Sequence, residues 1–159
     1  MRPSQGAFAS AELDSFQQDI NSHSFPVRPL RVYLAVPLVS NRSIERARLM
    51  ARAIVDSGNV VASPWNLDPM EVSAPSAVNV FDRDRTGSEN ADVMVADVTS
   101  PSTGVGMEVM AAYKAGRRII LVSQKKGRIS KMLEDMDRKE RLEYREESEI
   151  YESLLRMLQ

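Results

Sequence analysis

Short β-branched runs and segments of helical spacing take turns along this chain from Leu30 onward, and that alternation restricts its fold more than any other feature. Leu30-Arg31-Val32-Tyr33-Leu34-Ala35-Val36 is an apolar run stopped by Pro37, the pattern of a first strand. The polar turn Ser40-Asn41-Arg42-Ser43 offers helix N-cap residues. Ile44, Ala47, Ala51, Ile54 and Val55 then recur at helical spacing, and Gly58 stands where such a helix closes. Asn59-Val60-Val61-Ala62 reads as a short second strand, and Ser63 to Ala77, with three prolines, as a loop. A second helix is expected over Val78 to Asn90, with Gly87 as its weak point. Asp92-Val93-Met94-Val95-Ala96-Asp97-Val98 is apolar through its middle, as parallel strands buried on both faces are. A Ser/Thr/Pro/Gly loop leads into a third helix, roughly Gly106 to Ala115, closed by Gly116, and Arg118-Ile119-Ile120-Leu121-Val122 is a fourth strand. The remainder reads as charged and helical, with Ile150, Leu154, Leu155 and Leu158 as its docking face. The alternation predicts an α/β protein: a single-domain, Rossmann-like (flavodoxin-like) parallel sheet with helices on both faces.

A length of 159 residues suits one domain, placed over 30–159. Residues 1–29 lack helical or strand patterning and read as a flexible leader, with room for a short docking helix over Leu13 to Ile20. That segment has neither the basic start nor the apolar centre of a secretory signal, and no apolar run approaches membrane-spanning length. The expected setting is therefore the cytoplasm, with no membrane partner. Lysine plus arginine number 21 against 22 acids, so no global attraction draws the chain to nucleic acid. Cysteine is absent, and the one histidine, His23, falls in the leader. Disulfides, thiolate chemistry and cysteine metal sites are excluded, and with the one histidine in the leader a Ser-His-Asp triad, a histidine zinc site and a histidine general base are not expected. No metal or other cofactor is expected. Catalysis is left to carboxylates, tyrosine, serine or lysine.

Ligands of such sheets bind beyond the carboxyl ends of the strands, near the switch in strand order. The loops after the first and third strands, Val36 to Ser43 and Thr99 to Glu108, meet that description. In the second, Gly104 and Gly106 allow a ligand to approach the backbone, and Ser102 and Thr103 supply hydroxyls. Glu108 is expected in the first turn of the next helix, where amides and the helix dipole would keep its carboxylate ionised. That carboxylate reads either as a nucleophile facing the crevice or as a surface acid complementing the dipole. Asp84, alone, reads as a solvated acid, Tyr33 as packed core, and Gly127-Arg128-Ile129-Ser130-Lys131 as a solvated basic turn or an anion site. No dinucleotide fingerprint or phosphate loop is present.

Taken together, Val32 to Leu38, Asp84 and the run Ala91-Asp92-Val93-Met94-Val95-Ala96-Asp97-Val98-Thr99-Ser100-Pro101-Ser102-Thr103-Gly104-Val105-Gly106-Met107-Glu108 resemble the nucleoside 2-deoxyribosyltransferase superfamily, in particular its 2'-deoxynucleoside 5'-phosphate N-hydrolase branch. The similarity extends from about Arg31 to Leu158. It implies that Glu108 is the nucleophile, that Asp84 assists the leaving base and that Tyr33 lies beside them. It also implies that Ser102 binds a 5'-phosphate and that Ser130, with Lys131 and Met132 next to it, reaches the phosphate of a neighbouring subunit in a homodimer. The first loop, Val36-Pro37-Leu38-Val39-Ser40-Asn41-Arg42, takes the place of a glycine- or serine-rich phosphate cradle, with Arg42 and the Ser40 and Asn41 amides as its anion donors. A histidine common near the end of the second strand is replaced by Pro64 or Trp65, the latter able to stack on a base or to pack in the core. The implied activity is hydrolysis of 2'-deoxynucleoside 5'-monophosphates to free base and 2-deoxyribose 5-phosphate. Base exchange by a transferase, or nucleotide binding without catalysis, are the alternatives.

Overall fold

The structure, a computed structural model, describes residues 28–39, 42–67 and 78–159. Residues 1–27, which hold most of the expected leader and its docking helix, lie outside the described residues, as do Ser40 and Asn41. The elements follow in the order β1 (Arg31–Ala35), α1 (Ile44–Asp56), β2 (Val60–Val61), a 3-10 turn (Pro64–Leu67), α2 (Val80–Asn90), β3 (Val93–Asp97), α3 (Thr103–Lys114), β4 (Arg118–Gln124), α4 (Lys131–Asp135), β5 (Glu140–Tyr144) and α5 (Ser148–Leu158). Five strands form one parallel sheet in the order β2-β1-β3-β4-β5, with helices on both faces: the expected flavodoxin-like α/β fold.

The period-two strand pattern divides the core in two. Val32, Leu34, Val93, Val95, Ile120, Val122 and Leu142 face α1 and α5, where they meet Met50, Ile54, Ile150 and Leu154. Tyr33, Ala35, Met94, Ala96, Ile119 and Leu121 face α3, meeting Val105, Val109 and Ala112. Of the helix-spaced apolar residues expected on α1, Ala47, Ala51 and Ile54 are buried, while Val55 is exposed. Ser43 caps α1 through its hydroxyl, accepting from the Arg46 amide. Gly58 and Gly116 end α1 and α3 with φ of 81° and 72°, the left-handed region only glycine enters freely.

Two elements differ from the sequence reading. The stretch read as wholly charged and helical contains β5, whose pattern is short because it is an edge strand. Only Leu142 and Tyr144 are buried; Glu140, on their face, is half-buried and paired with Arg118, while Arg141 and Glu143 are exposed on the other face. α3 begins at Thr103 rather than near Gly106, because Ser102 is its N-cap, accepting from the Val105 amide. Glycines 104 and 106 therefore sit inside a helix. Each weakens it by about 1 kcal/mol relative to alanine, which burial of Val105, Val109 and Ala112 offsets.

At the carboxyl edge of the sheet, Arg46 is buried between two acids, donating to Asp97 at 2.6 Å and to Glu147 at 2.6 Å. Asp97 also accepts the Thr99 amide at 3.0 Å. One buried cation thus ties the start of α1 to the end of β3 and the approach to α5, and it anchors the loop that leads to Ser102.

Candidate active site

Strand order reverses between β1 and β3, so the crevice of this sheet opens beyond their carboxyl ends. Tyr33 comes from the middle of β1 and is fully buried on the α3 face. Glu108 lies on the second turn of α3, turned inward, and is 9% exposed. The Tyr33 hydroxyl donates to Glu108 Oε1 at 2.7 Å. Burial, followed by the nearby Glu108 charge, pushes the Tyr33 hydroxyl far above its usual range, so it stays a proton-bearing donor.

The later position of Glu108 along α3 corrects the expected electrostatics. A first-turn carboxylate would be held ionised by free amides. Glu108 is instead past those amides and in the interior, and burial pushes it up to about 8. The Asp84 charge adds to that rise, while the Tyr33 hydrogen bond and the Arg83 charge oppose it. The surface reading of Glu108 is thereby also set aside.

Asp84 sits on α2 and is not the solvated acid its sequence context suggested. Its side chain is 14% exposed. The Trp65 indole N–H donates to Asp84 Oδ1 at 3.1 Å, and Arg83 Nε donates to the same oxygen at 2.7 Å. The Arg83 guanidinium also lies over the Trp65 ring, 4.7 Å from its centroid. Trp65, carried by the 3-10 turn, meets Tyr33 edge to face with centroids 6.3 Å apart. Gly87 permits that arrangement, since a Cβ there would lie 2.7 Å from Tyr33 Cε2.

Glu108 and Asp84 border a wide groove of about 1450 Å³ between α2, α3 and the segment 128–136. Ser102, Gly104, Gly106, Ser130 and Met132 also line it. Lys131 does not; it is exposed and paired with Asp135 at 2.8 Å. Arg128, which the sequence reading left inside a basic turn, lines the groove as a cation. The described members of the first loop lie elsewhere. Val36 and Pro37 are buried, Leu38 packs against the α1 core, and Val39 is 88% exposed. Arg42 donates to the Asn66 carbonyl at 3.1 Å. Sequence reasoning missed the parts played by Arg83, Gly87 and the Trp65 N–H. Trp65 and Asp84 are 19 positions apart with no periodicity between them, so only the tertiary structure makes them neighbours. Among the described residues, no cluster of three or more acids and histidines could hold a metal, and no helix is long and apolar enough to cross a membrane.

The chain matches the family model described as nucleoside 2-deoxyribosyltransferase over residues 32–151. A relative from Thermofilum pendens is 33% identical over 59% of this chain and 68% of its own length. Another from Methanococcoides burtonii is 27% identical over 65% of this chain and 88% of its own. Both carry the name "Putative 2'-deoxynucleoside 5'-phosphate N-hydrolase 1". Among solved structures, a CMP N-glycosidase of Clostridium botulinum, BcmB, superposes with a TM-score of 0.61 at 20% identity, over 78% of this chain and 96% of that one. That likeness is one of fold.

Proposed function

The chain belongs to the nucleoside 2-deoxyribosyltransferase family, and from that footing we propose that it hydrolyses the N-glycosidic bond of 2'-deoxynucleoside 5'-monophosphates. The observation that carries this reading is the buried Tyr33–Glu108 pair beside Asp84 at the edge of an open groove. A Glu108 carboxylate oxygen attacks C1' as the C1'–N bond breaks, and the bonding electrons leave with the base. A proton supplied from the Asp84 side neutralises that base. Water then attacks C1', the glycosyl–Glu108 bond breaks, and the water's proton passes to Asp84. Atoms and charges balance without a metal or a redox partner. Tyr33 keeps one Glu108 oxygen oriented throughout.

Base exchange is the second reading, favoured by the description of the matched family. Both reactions share the glycosyl–Glu108 intermediate and differ only in what reaches C1' next. Incubation with a panel of deoxynucleotides, ribonucleotides and nucleosides, each with excess free acceptor base, separates them by chromatography. The expected products are free base and 2-deoxyribose 5-phosphate. An exchanged nucleoside with little free sugar overturns hydrolysis in favour of transfer, and nucleotide binding with neither product favours a binding module.

A two-fold homodimer belongs to the same proposal. Phe81, Met107, Met110 and Met132 are large apolar side chains left exposed around the groove, an unusual rim for a monomer. Pairing over that face covers them and brings Ser130 to the phosphate of the neighbouring subunit. Sedimentation is expected to give a dimer, and a monomer fully active at nanomolar concentration overturns the shared site.

A further inference from the structure

Trp65 is the single tryptophan of the chain, and its surroundings are unusually directed. Its ring is held edge-on by Tyr33 and covered by the Arg83 guanidinium, so the indole has little freedom to turn. Its N–H is committed to Asp84 Oδ1, which also takes Arg83 Nε. Among the described residues, Asp84 Oδ2 takes only the 3.3 Å contact from Arg83 Nη2, whereas Oδ1 takes two shorter ones, so Oδ2 is the oxygen with more capacity for another partner. Trp65 itself is absent from the lining of the groove, whereas Asp84 lines it.

We propose that Trp65 is a positioning residue that acts through Asp84, fixing Oδ1 so that Oδ2 is presented to the groove, and that Gly87 and Tyr33 hold the indole in that pose. The inference rests on the glycosidase reading for its kinetic consequence, but its structural content, the indole–carboxylate bond, is independent of that reading. Tyr33 touches both Trp65 and Glu108, so the two carboxyls of the site share one rigid support.

Trp65→Phe keeps an aromatic ring and removes the N–H. Applied to the full chain, it is expected to lower kcat about tenfold to hundredfold, the range for one hydrogen bond to a charged group. KM should stay within about twofold, since a group acting on the leaving base alone does not alter ground-state binding. In an Asp84→Asn background the same change should lower kcat by less than about twofold, because the residue it acts through is already disabled. A raised KM with unchanged kcat, or losses that multiply in the double variant, overturns the proposal. A second measurement needs no turnover and leaves Trp65 in place. Asp84→Asn is expected to alter the intrinsic fluorescence of this lone tryptophan, whereas folded protein with spectra superimposable on wild type overturns the contact. Should the wild-type chain hydrolyse no nucleotide, the glycosidase reading fails and the emission spectra alone decide the inference.

Discussion

Glu108→Gln is expected to abolish the covalent route and lower hydrolysis by at least about 10⁴-fold while leaving the fold intact. The amide is close in size to the carboxyl and its oxygen can still accept from Tyr33, so the loss reports nucleophilicity rather than packing. In the wild-type protein, kcat/KM should climb about tenfold per pH unit and level off near pH 8, where the buried Glu108 ionises. Tyr33→Phe removes the hydrogen bond that pulls Glu108 downward, and its rising limb should move to higher pH. Stability should move in the opposite direction to activity. The unfolded chain ionises Glu108 near 4.5, and the folded chain near 8. Between those values the unfolded state has released a proton that the folded state retains, so stability falls as pH rises through the window. Glu108→Gln lacks that titration. Its advantage over wild type in thermal unfolding should be small at pH 4.5 and grow to pH 8, on the order of 3 kcal/mol. Activity within a few-fold of wild type would remove Glu108 from the mechanism, and a stability difference independent of pH would contradict its buried titration.

Deoxynucleoside monophosphates are expected to react about 10²- to 10⁴-fold faster than the matching deoxynucleosides, judged by kcat/KM. The difference follows from the amino end of α3. The Ser102 carbonyl takes the Gly106 amide and its hydroxyl the Val105 amide, but at a long 3.4 Å. The hydroxyl is thus weakly engaged, and Ser102 stands on the groove wall with Arg128 also lining it. Two charge-assisted hydrogen bonds to phosphate, each about 1.5 to 3 kcal/mol, give the quoted range. A plain nucleoside would leave those donors without the dianion that suits them. Ser102→Ala should narrow the gap between the two substrate classes, chiefly through KM for the monophosphate. Equal rates on nucleosides and monophosphates would remove phosphate from the recognition and point toward base exchange.

The parallel sheet was legible because each central strand is buried on both faces, which leaves a continuous β-branched run in the sequence. Helix ends were legible where a single residue does the work, as with Ser43, Gly58 and Gly116. β5 was not, since an edge strand needs only two buried residues and hides among charges. The start of α3 was misread because two glycines resemble a loop, whereas core contacts of Val105 and Val109 compensate for their poor helix propensity.

The candidate site divides in the same way. The absence of cysteine and a lone histidine outside every patterned element left catalysis to carboxylates, tyrosine, serine or lysine before any fold was known, and the residue types at 33, 84 and 108 are among these. What the chain order could not state was the environment of those carboxyls. Glu108 is raised rather than lowered because α3 begins earlier and turns it inward, and Asp84 is held by an indole donated from a distant turn. Residue identity determines which groups can ionise and is written in the sequence. Their hydration and their neighbours depend on distances through space, and those exist only once the sheet brings β1, α2 and α3 together.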